Sequence, residues 1–376
     1  MTRLSRLLDA IAPPSAGGRQ EAQRHLDSLT KPPGSLGRLE EIALRLALLS
    51  GHAPAVTHPV IFTFAADHGV VAEGVSAYPP VVTAQMVENF LRGGAAVNVL
   101  ARQAGARVVV ADFGVASPIG QTPDLVACPL GPGTANMAVG PAMAREVAIQ
   151  AIETGARLAD EALDAGADLV GTGEMGIGNT TAASAIAAAV TGAPAEQVTG
   201  RGTGVDDATL ARKVAVVRRA LDVNRPDARD GLDVLAKVGG YEIGGLAGVI
   251  LAGAARRVPV VLDGFIAGAA ALIAVTLAPA ARHALFASHR SAEPGHAVIL
   301  SHLGLEPYLD LSLRLGEGTG AALFIHLARA AALVWTEMAT FKSAGVSTSE
   351  GASVAPSEAT PSDRIAPAKP ALDRRR

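Results

Sequence analysis

The chain has 376 residues, which is enough for two ordinary domains or for one large α/β unit. Hydrophobic residues make up 49% of it and charged residues only 18%, a balance that excludes a largely disordered protein. The 32 basic and 35 acidic side chains leave a net charge of −3, whereas a protein that binds nucleic acid normally carries a basic excess.

The first 50 residues are predicted to be helical. Ser35 follows the turn formed by residues 31–34 and is predicted to be the N-cap of a helix that Gly51 ends. Apolar residues recur at helical spacing between these two positions, at Leu36, Leu39, Ile42, Leu46 and Leu49.

The middle of the chain alternates between apolar strands and helices. The predicted strands are continuous runs rich in Val and Ile, as expected where both faces of a sheet are buried, at 60–66, 106–114, 167–173 and 259–265. The predicted helices lie between and after them, at 83–104, 141–165, 179–190, 207–222 and 321–341. This alternation predicts an α/β fold in which helices flank a parallel sheet.

Two hydrophobic stretches bear on the location of the protein. The start of the chain lacks the long apolar run of a signal peptide and is predicted to form a short helix. Residues 264–280 barely reach the length of a membrane span and contain Pro279, so we expect a helix buried beside the sheet.

The single cysteine, Cys128, excludes an intrachain disulfide. It fits a reducing cytoplasm, and we expect a cytoplasmic protein with neither membrane nor nucleic acid as a partner.

The composition changes at the end of the chain. Residues 347–376 are rich in Pro, Ala and Ser and contain almost no large apolar side chains. Such a segment buries too little surface to offset the entropy of ordering, so we predict a disordered tail.

The glycine-rich segment 171–181 follows a predicted strand and leads into a helix that starts near Asn179. A turn of this kind is a natural phosphate cradle, although a tight connection without a ligand has the same composition. Glu174 lies inside the segment. The segment also matches the G-x-G-x-x-G pattern of dinucleotide-binding turns, a weak signal when it stands alone, at Gly171, Gly173 and Gly176.

Two further glycine-rich segments carry acidic residues. In segment 200–207, Asp206 is predicted to cap the next helix, with Asp207 in its first turn, in preference to the ribose-binding acidic pair of many phosphoribosyltransferases. In the GEGTG segment, Glu317 is flanked by glycines. Such a carboxylate can be presented to a ligand with a raised pKa, or the turn can simply cap a helix, and the spacing leaves both interpretations open.

One polar cluster follows a predicted strand, and a second lies between apolar runs. Asp67 and His68 lie where α/β proteins bind ligands, but adjacent residues rarely face one metal ion, so a structural turn is the favoured interpretation. Residues 288–296 are predicted to form an anion or substrate loop. A Ser/His nucleophile is conceivable there, although the chain has no G-x-S-x-G elbow.

Taken in chain order, these motifs resemble the nicotinate-nucleotide–dimethylbenzimidazole phosphoribosyltransferases, a family of cobalamin lower-ligand synthesis. The matching segments cover most of residues 28–345, namely LTKPPGSLGRLE (29–40), FAADHGVVAEGVSAYP (64–79), VTAQMVENFLRGGAAVNVLARQAGA (82–106), GTGEMGIGNTTAASAI (171–186), GRGTGVDD (200–207), GGYEIGGLAGVILAGA (239–254), VVLDGFIAGAAALIA (260–274), SHRSAEPGH (288–296) and LRLGEGTGAA (313–322).

The resemblance implies a reaction and an architecture. The 5-phosphoribosyl group of nicotinate mononucleotide passes to 5,6-dimethylbenzimidazole, which gives α-ribazole 5′-phosphate and nicotinate and needs no metal or organic cofactor. The implied fold is a Rossmann-like parallel sheet flanked by helices, assembled as a homodimer. Within residues 1–346 it implies a large part, about 55–310, and a small helical domain formed by residues 1–54 and 311–346.

The resemblance also assigns roles to residues. Glu317 is the implied catalytic base, and Glu174 is a supporting carboxylate near the sugar. The chemistry agrees, because the N–H of a benzimidazole becomes acidic as its other nitrogen attacks C1′, and a carboxylate within reach can accept that proton. The implied phosphate-binding residues are Gly176, Asn179, Lys213 and Ser291, and those that hold the aromatic base are Ser76, Tyr78 and Gln85.

Two alternatives remain open from the residues alone. One is a dinucleotide-dependent oxidoreductase that uses residues 171–176, for which Glu196 lies near the expected spacing of a ribose-binding acid but in a loop that contains Pro and Gly. The other is a non-catalytic protein that binds a nucleotide or a base.

Overall fold

The computed structural model describes residues 2–120, 122–202 and 204–347. At its centre lies a parallel sheet whose strands are β1 (Pro59–Ala66), β2 (Arg107–Gly114), β3 (Leu125–Ala127), β4 (Leu169–Met175), β5 (Val260–Leu262) and β6 (Leu285–Ala287). The strand order is β3-β2-β1-β4-β5-β6, and each neighbouring pair is parallel. This order is the one found in doubly wound sheets, and the predicted α/β fold is confirmed.

Helices connect the strands and cover both faces of the sheet. They are α1 (Arg3–Asp9), α2 (Ala16–Ser28), α3 (Arg38–Ser50), α4 (Val81–Leu91), α5 (Ala96–Ala104), α6 (Arg145–Asp164), α7 (Asn179–Thr191), α8 (Ala195–Val198), α9 (Asp207–Asn224), α10 (Gly231–Val238), α11 (Tyr241–Ala255), α12 (Phe265–Leu277), α13 (Pro294–Leu303), α14 (Thr319–Glu337) and α15 (Phe341–Ala344). Short 3₁₀ segments lie at Gly69–Glu73 and Pro279–Ala284.

Strand β1 shows how the core divides between the two faces. Phe62 and Phe64 belong to the hydrophobic cluster that also contains residues of α6, α7, α11 and α12. Ile61 and Ala65 belong to the other cluster, with residues of α3, α4, α5 and α14. Because successive side chains of a strand point to opposite faces and both faces are covered, the strand is apolar except at Thr63.

Two helix boundaries differ from the sequence prediction. The helix predicted over 83–104 is interrupted at Gly93, where φ is +73°, so α4 and α5 are separate helices. The prediction of Ser35 as an N-cap is wrong. Helix α3 begins after Gly37, which takes a positive φ of 54° and therefore provides the turn into the helix. The prediction that Gly51 ends this helix is confirmed, since it is the left-handed C-cap.

The most apolar helices lie inside the fold. The stretch 264–280 forms α12, most of whose residues are buried, and the helix ends at Leu277 before Pro279, as predicted. Among the described residues, α14 is the one helix long and apolar enough to cross a membrane. Half of the residues in its most apolar 18-residue stretch are buried, and the helix packs on α3, α5 and β4. It is therefore a core helix.

Two segments from opposite ends of the described chain contact each other. Leu29 forms an antiparallel bridge with Thr340, and α3 packs on α14. Helix α1, by contrast, packs on α6 and α11. The division of residues 1–346 into a large and a small part stays a prediction. The predicted tail lies outside the described residues from residue 348 onward.

Candidate active site

A cavity of about 660 Å³ opens at the carboxyl ends of the strands, beside the point between β1 and β4 where the strand order reverses. Ligands of doubly wound proteins bind at this edge of the sheet. Segments far apart in the chain supply the walls, with lining residues in 78–86, 174–180, 264–266, 289–293 and 312–317 and at Gly202.

Glu317 lies at one end of this cavity, immediately before helix α14. Its side chain lines the cavity, although the residue is only 5% exposed. Burial raises the pKa of its carboxyl, and the opposing influence is a hydrogen bond that Oε2 accepts from the backbone N–H of Val97 at 3.4 Å. A carboxyl in this environment is a better proton acceptor than one in water.

The backbone around Glu317 is held by neighbouring strands. Glu317 takes a φ of +66°, which is unusual for a residue with a side chain. Its carbonyl accepts a hydrogen bond from the Thr63 hydroxyl at 2.9 Å. Asp263 accepts hydrogen bonds from the N–H groups of Gly318, at 3.0 Å, and Gly320, at 2.7 Å. Burial raises the pKa of Asp263 to about 7, against the effect of these donors.

Glu174, near the end of β4, lies beside the loop that carries Glu317. The Asn179 side-chain amide donates a hydrogen bond to its Oε2. Burial, followed by the charges of Asp263 and Glu242, raises the pKa of Glu174 to about 8. A Cβ added at Gly316 would fall on Oε1 of Glu174, so the two acidic segments are in direct contact. The structure thus brings Glu174 and Glu317 together in one cavity.

The amino end of α7 forms another part of the wall. The helix starts at Asn179, as predicted, and its N-cap, Gly178, provides no side-chain cap. Gly176, Asn179 and Thr180 line the cavity. Unpaired N–H groups at a helix start favour an anion.

Lys213 lies behind this wall rather than on the cavity surface. Its ammonium is buried and donates a hydrogen bond to the Thr180 hydroxyl at 3.0 Å. Burial lowers its pKa to about 8, while the charge of Glu293 opposes that shift. At the start of the same helix, α9, Asp206 is the N-cap and accepts a hydrogen bond from the N–H of Thr209 at 2.8 Å, which confirms the capping interpretation.

The segment 289–293 and Arg314 close the same side of the cavity. His289, Ser291 and Glu293 line it, in agreement with the substrate-loop interpretation of 288–296. Oε1 of Glu293 accepts from the N–H of Gly202 at 2.8 Å, and Arg314 donates to the carbonyl of Gly202 at 2.9 Å. The sequence analysis did not identify Arg314 as a site residue. The signal that could have identified it is a cation three residues before Glu317.

The Ser/His pair in this segment is not arranged as a nucleophilic system. Ser288 is fully buried and donates a hydrogen bond to the carbonyl of Asp263 at 3.0 Å. The ring of His289 lies 3.0 Å from the same hydroxyl, and burial lowers the pKa of His289 to about 4. These contacts indicate a structural role for Ser288.

Apolar side chains supply much of the cavity lining, and we refer to them as the apolar wall. They are Tyr78, Val82, Met86, Met175, Ile177, Phe265, Ile266, Leu313 and Leu315. Tyr78 is 51% exposed and lies at the rim. Ser76 accepts a hydrogen bond from the N–H of Tyr78 at 3.2 Å, and Gln85 is an exposed residue of α4. Neither Ser76 nor Gln85 lines the cavity, whereas the other predicted site residues except Lys213 do.

Asp67 and His68 are engaged in contacts within the protein. Asp67 accepts a hydrogen bond from the N–H of Ala116 at 2.8 Å. The ring of His68 lies 2.7 Å from Oε1 of Glu242, and both side chains are buried. No group of three or more metal-ligating side chains occurs in residues 2–120, 122–202 and 204–347. The contacts indicate a structural turn.

The glycines of segment 171–181 do not all lie in a turn. Gly171 and Gly173 belong to strand β4, which extends to Met175, whereas Gly176 and Gly178 follow it. A Cβ added at Gly173 would fall on the carbonyl of Glu317. Two glycines of the apparent dinucleotide pattern therefore serve close packing, and the turn that this pattern describes is not formed.

Comparison with known proteins decides the family. A family model described as "Phosphoribosyltransferase" matches residues 11–346. A nicotinate-nucleotide–dimethylbenzimidazole phosphoribosyltransferase from Chloroflexus aggregans (strain MD-66 / DSM 9485) is 60% identical over 348 residues, which cover 92% of this chain and 99% of the relative. The chain belongs to this phosphoribosyltransferase family.

Other members of the family agree. The relative of the same name from Geobacter metallireducens (strain ATCC 53774 / DSM 7210 / GS-15) is 56% identical, over 92% of this chain and 98% of its own length. A crystal structure of CobT from Thermus thermophilus matches with a TM-score of 0.85 and 51% identity, over 88% of this chain and 99% of that one. The resemblance in the motifs is thus confirmed, and neither alternative interpretation gains support.

Proposed function

We propose that this phosphoribosyltransferase transfers the 5-phosphoribosyl group of nicotinate mononucleotide to 5,6-dimethylbenzimidazole. The products are α-ribazole 5′-phosphate and nicotinate. The observation that carries the proposal is one cavity with three parts, which are a helix start suited to a phosphate, a pair of buried carboxyls, and an apolar wall suited to an aromatic base.

The phosphate of the nucleotide binds at the start of α7. Gly176 and Asn179 provide backbone at this position, and Ser291 lines the same cavity. Lys213 supplies positive charge from behind this wall, where its ammonium donates a hydrogen bond to the Thr180 hydroxyl. An anion is stabilised here by both the helix dipole and the buried ammonium.

The base lies against the apolar wall with its N–H directed at Glu317. Tyr78 covers it from the rim, while Ser76 and Gln85 support that side from outside the cavity surface. An apolar pocket with a few directing polar groups is the usual form of a site for an aromatic ligand.

The reaction is a displacement at C1′. The free ring nitrogen of the base forms a bond to C1′, and the bond from C1′ to the nicotinate nitrogen breaks with its electron pair remaining on nicotinate. The N–H proton of the base passes to Glu317, whose raised pKa suits it for this transfer. Because the leaving group is a pyridinium, it departs as a neutral ring nitrogen and needs neither an acid nor a metal.

Glu174 adds a second carboxyl at the reacting end of the cavity. Positive charge is present on the nucleotide's pyridinium and develops on the sugar and the attacking base. In its ionised form the carboxylate of Glu174 stabilises such charge, and the effect is strong because the residue is buried. Glu174, which lies beside Gly316 and Asn179, is the carboxyl that supports the sugar.

Product analysis by mass spectrometry tests the proposal. The protein is incubated with nicotinate mononucleotide and a panel of benzimidazoles and purines, and we expect nicotinate release with formation of the ribosylated 5′-phosphate of the preferred base. Binding of both substrates without nicotinate release would favour a non-catalytic binding protein. A change in nicotinamide fluorescence on titration with NADH would favour an oxidoreductase.

We also propose that the protein is a homodimer in the cytoplasm, as its family resemblance implies. The family membership and the single cysteine, Cys128, support this proposal. Light scattering after size-exclusion chromatography tests the dimer, for which we expect twice the chain mass of 37.9 kDa.

A further inference from the structure

Asp263 is a buried carboxyl that the proposed reaction does not consume. It follows strand β5 directly, is 1% exposed, and is absent from the residues that line the cavity. A buried carboxyl is costly unless hydrogen-bond donors surround it, so its partners indicate what it does.

Both oxygens of Asp263 are directed at the start of α14. Oδ2 accepts from the N–H of Gly318 at 3.0 Å, and Oδ1 accepts from the N–H of Gly320 at 2.7 Å. The helix has no side-chain cap from its own N-cap residue, Gly318. Asp263 therefore acts as the cap of this helix from a distant part of the chain, because its two oxygens accept hydrogen bonds from the first turn.

Glu317 is the residue immediately before Gly318, so this cap also fixes the proposed catalytic carboxyl. The left-handed φ of Glu317, +66°, costs about 1–2 kcal/mol in the absence of other contacts. Neighbouring contacts hold it there, including the hydrogen bond from Thr63 to its carbonyl and the packing of that carbonyl against Gly173. Without Asp263, the first turn of α14 loses the partner that places Glu317 toward the cavity.

We propose that Asp263 is a positioning residue for the phosphoribosyl transfer, which it supports by holding the backbone of Glu317 in its left-handed conformation. This inference rests on the proposed function. It predicts that Asp263 acts on turnover only through Glu317 and has no part in gripping the nucleotide phosphate.

A double-mutant cycle with Asp263→Asn and Glu317→Gln tests this coupling. Asp263→Asn alone lowers kcat about 100-fold, the effect expected when a reacting group is misplaced by about 1 Å, and leaves KM for nicotinate mononucleotide within about threefold. In the Glu317→Gln background the same substitution lowers kcat by less than about threefold, because residues that act as a unit are not additive. Equal losses in both backgrounds, or an unchanged kcat in the single variant, would overturn the proposal.

Asp230 offers a matched control for helix capping alone. It caps α10 by accepting from the N–H groups of Leu232, at 3.0 Å, and Asp233, at 3.2 Å. We expect Asp230→Asn to lower the melting temperature without lowering kcat. If Asp263→Asn behaves in the same way, its role is structural only and the proposal is wrong.

Crystal structures of the wild type and of Asp263→Asn separate this inference from the proposed function. The expected result is a Glu317 carboxyl displaced from the N–H of Val97 in the variant, which does not depend on any assay of turnover. A variant in which Glu317 keeps its wild-type position would refute the positioning role even if the enzyme is active. If Asp263→Asn fails to fold, Thr63→Val takes its place as the test variant. It removes the hydrogen bond to the Glu317 carbonyl, and we expect the same displacement.

Discussion

Oε2 of Glu317 accepts a hydrogen bond from the backbone N–H of Val97 at 3.4 Å, which places the carboxyl between the start of α5 and the cavity. The N–H group holds one oxygen in position. Glu317 is also part of the cavity lining, where the proposed substrate binds.

Replacement of Glu317 by Gln removes the proposed proton acceptor while preserving the shape of the side chain. We expect kcat to fall about 100- to 10,000-fold, the range for loss of a general base, with a small change in KM for nicotinate mononucleotide. The rate of nicotinate release at saturating concentrations of both substrates measures kcat. Glu337→Gln, at the exposed far end of α14, is the control and keeps wild-type turnover. A near-normal rate in Glu317→Gln would refute the assigned role.

The pKa values of Glu174 and Asp263 predict how stability depends on pH. They rise from 4.5 to about 8 and from 3.8 to about 7, so the folded protein retains protons that the unfolded chain releases. Their contribution to stability is complete below about pH 4 and is lost as the pH rises through the folded values. Calorimetry from pH 7 to 8 should therefore show a falling melting temperature. Below this window the buried His289 and His296, whose pKa values are lowered, act in the opposite direction.

Glu174→Gln should make that pH dependence shallower, because the amide does not ionise. Asp222→Asn, an exposed position on α9, should keep the wild-type slope. If the Glu174 variant retained the full slope, the carboxyl would not carry a raised pKa.

Lys213→Met removes the ammonium behind Thr180. We expect KM for nicotinate mononucleotide to rise about 10- to 100-fold, as for loss of a charged hydrogen bond, with KM for the base unchanged. Since the pKa of Lys213 is lowered to about 8, KM of the wild type should also rise above that pH as the ammonium loses its proton. Lys342→Met, at an exposed position, is the control. An unchanged KM in Lys213→Met would remove the lysine from the phosphate site.

Gly316→Ala should disturb both acidic segments. A Cβ at this position would fall on Oε1 of Glu174, and the φ of +86° is itself unfavourable for alanine. We expect a loss of about 1–3 kcal/mol in the free energy of unfolding and a lower kcat. In Gly192→Ala the φ is a comparable +73° but nothing lies within 4 Å, so stability falls while kcat stays unchanged. Urea denaturation and steady-state kinetics measure both effects, and equal kcat values in the two variants would contradict the contact with Glu174.

The long elements could be predicted from the sequence because their patterns are local. The runs at 60–66 and 106–114 correspond to β1 and β2, and the capping by Asp206 follows from the side chain alone. Strands β3 and β6 have three residues each, too few for any period to be visible. They form because they pair with β2 and β5, which is information from distant parts of the chain.

The residues of the candidate site also divide into those with a local sequence signal and those whose partners lie far away in the chain. Glu174 and Asn179 stand in one glycine-rich segment, so composition identifies them together, and the structure places both in the cavity. Asp263 was missed because its partners, Gly318 and Gly320, are more than 50 residues away, and a lone aspartate after an apolar run carries no local signal. The role of Gly173 was misjudged for a similar reason, since the Glu317 carbonyl that requires it lies in a distant segment.

The cavity lining combines Glu317, which lies just before helix α14, with Val82 and Met86 of helix α4. Under the proposed function, the carboxyl that takes the proton and these two side chains beside the aromatic ring belong to distant segments of the chain. A directed-evolution campaign restricted to α4 can therefore alter which heterocycle is accepted without replacing a residue next to Glu317.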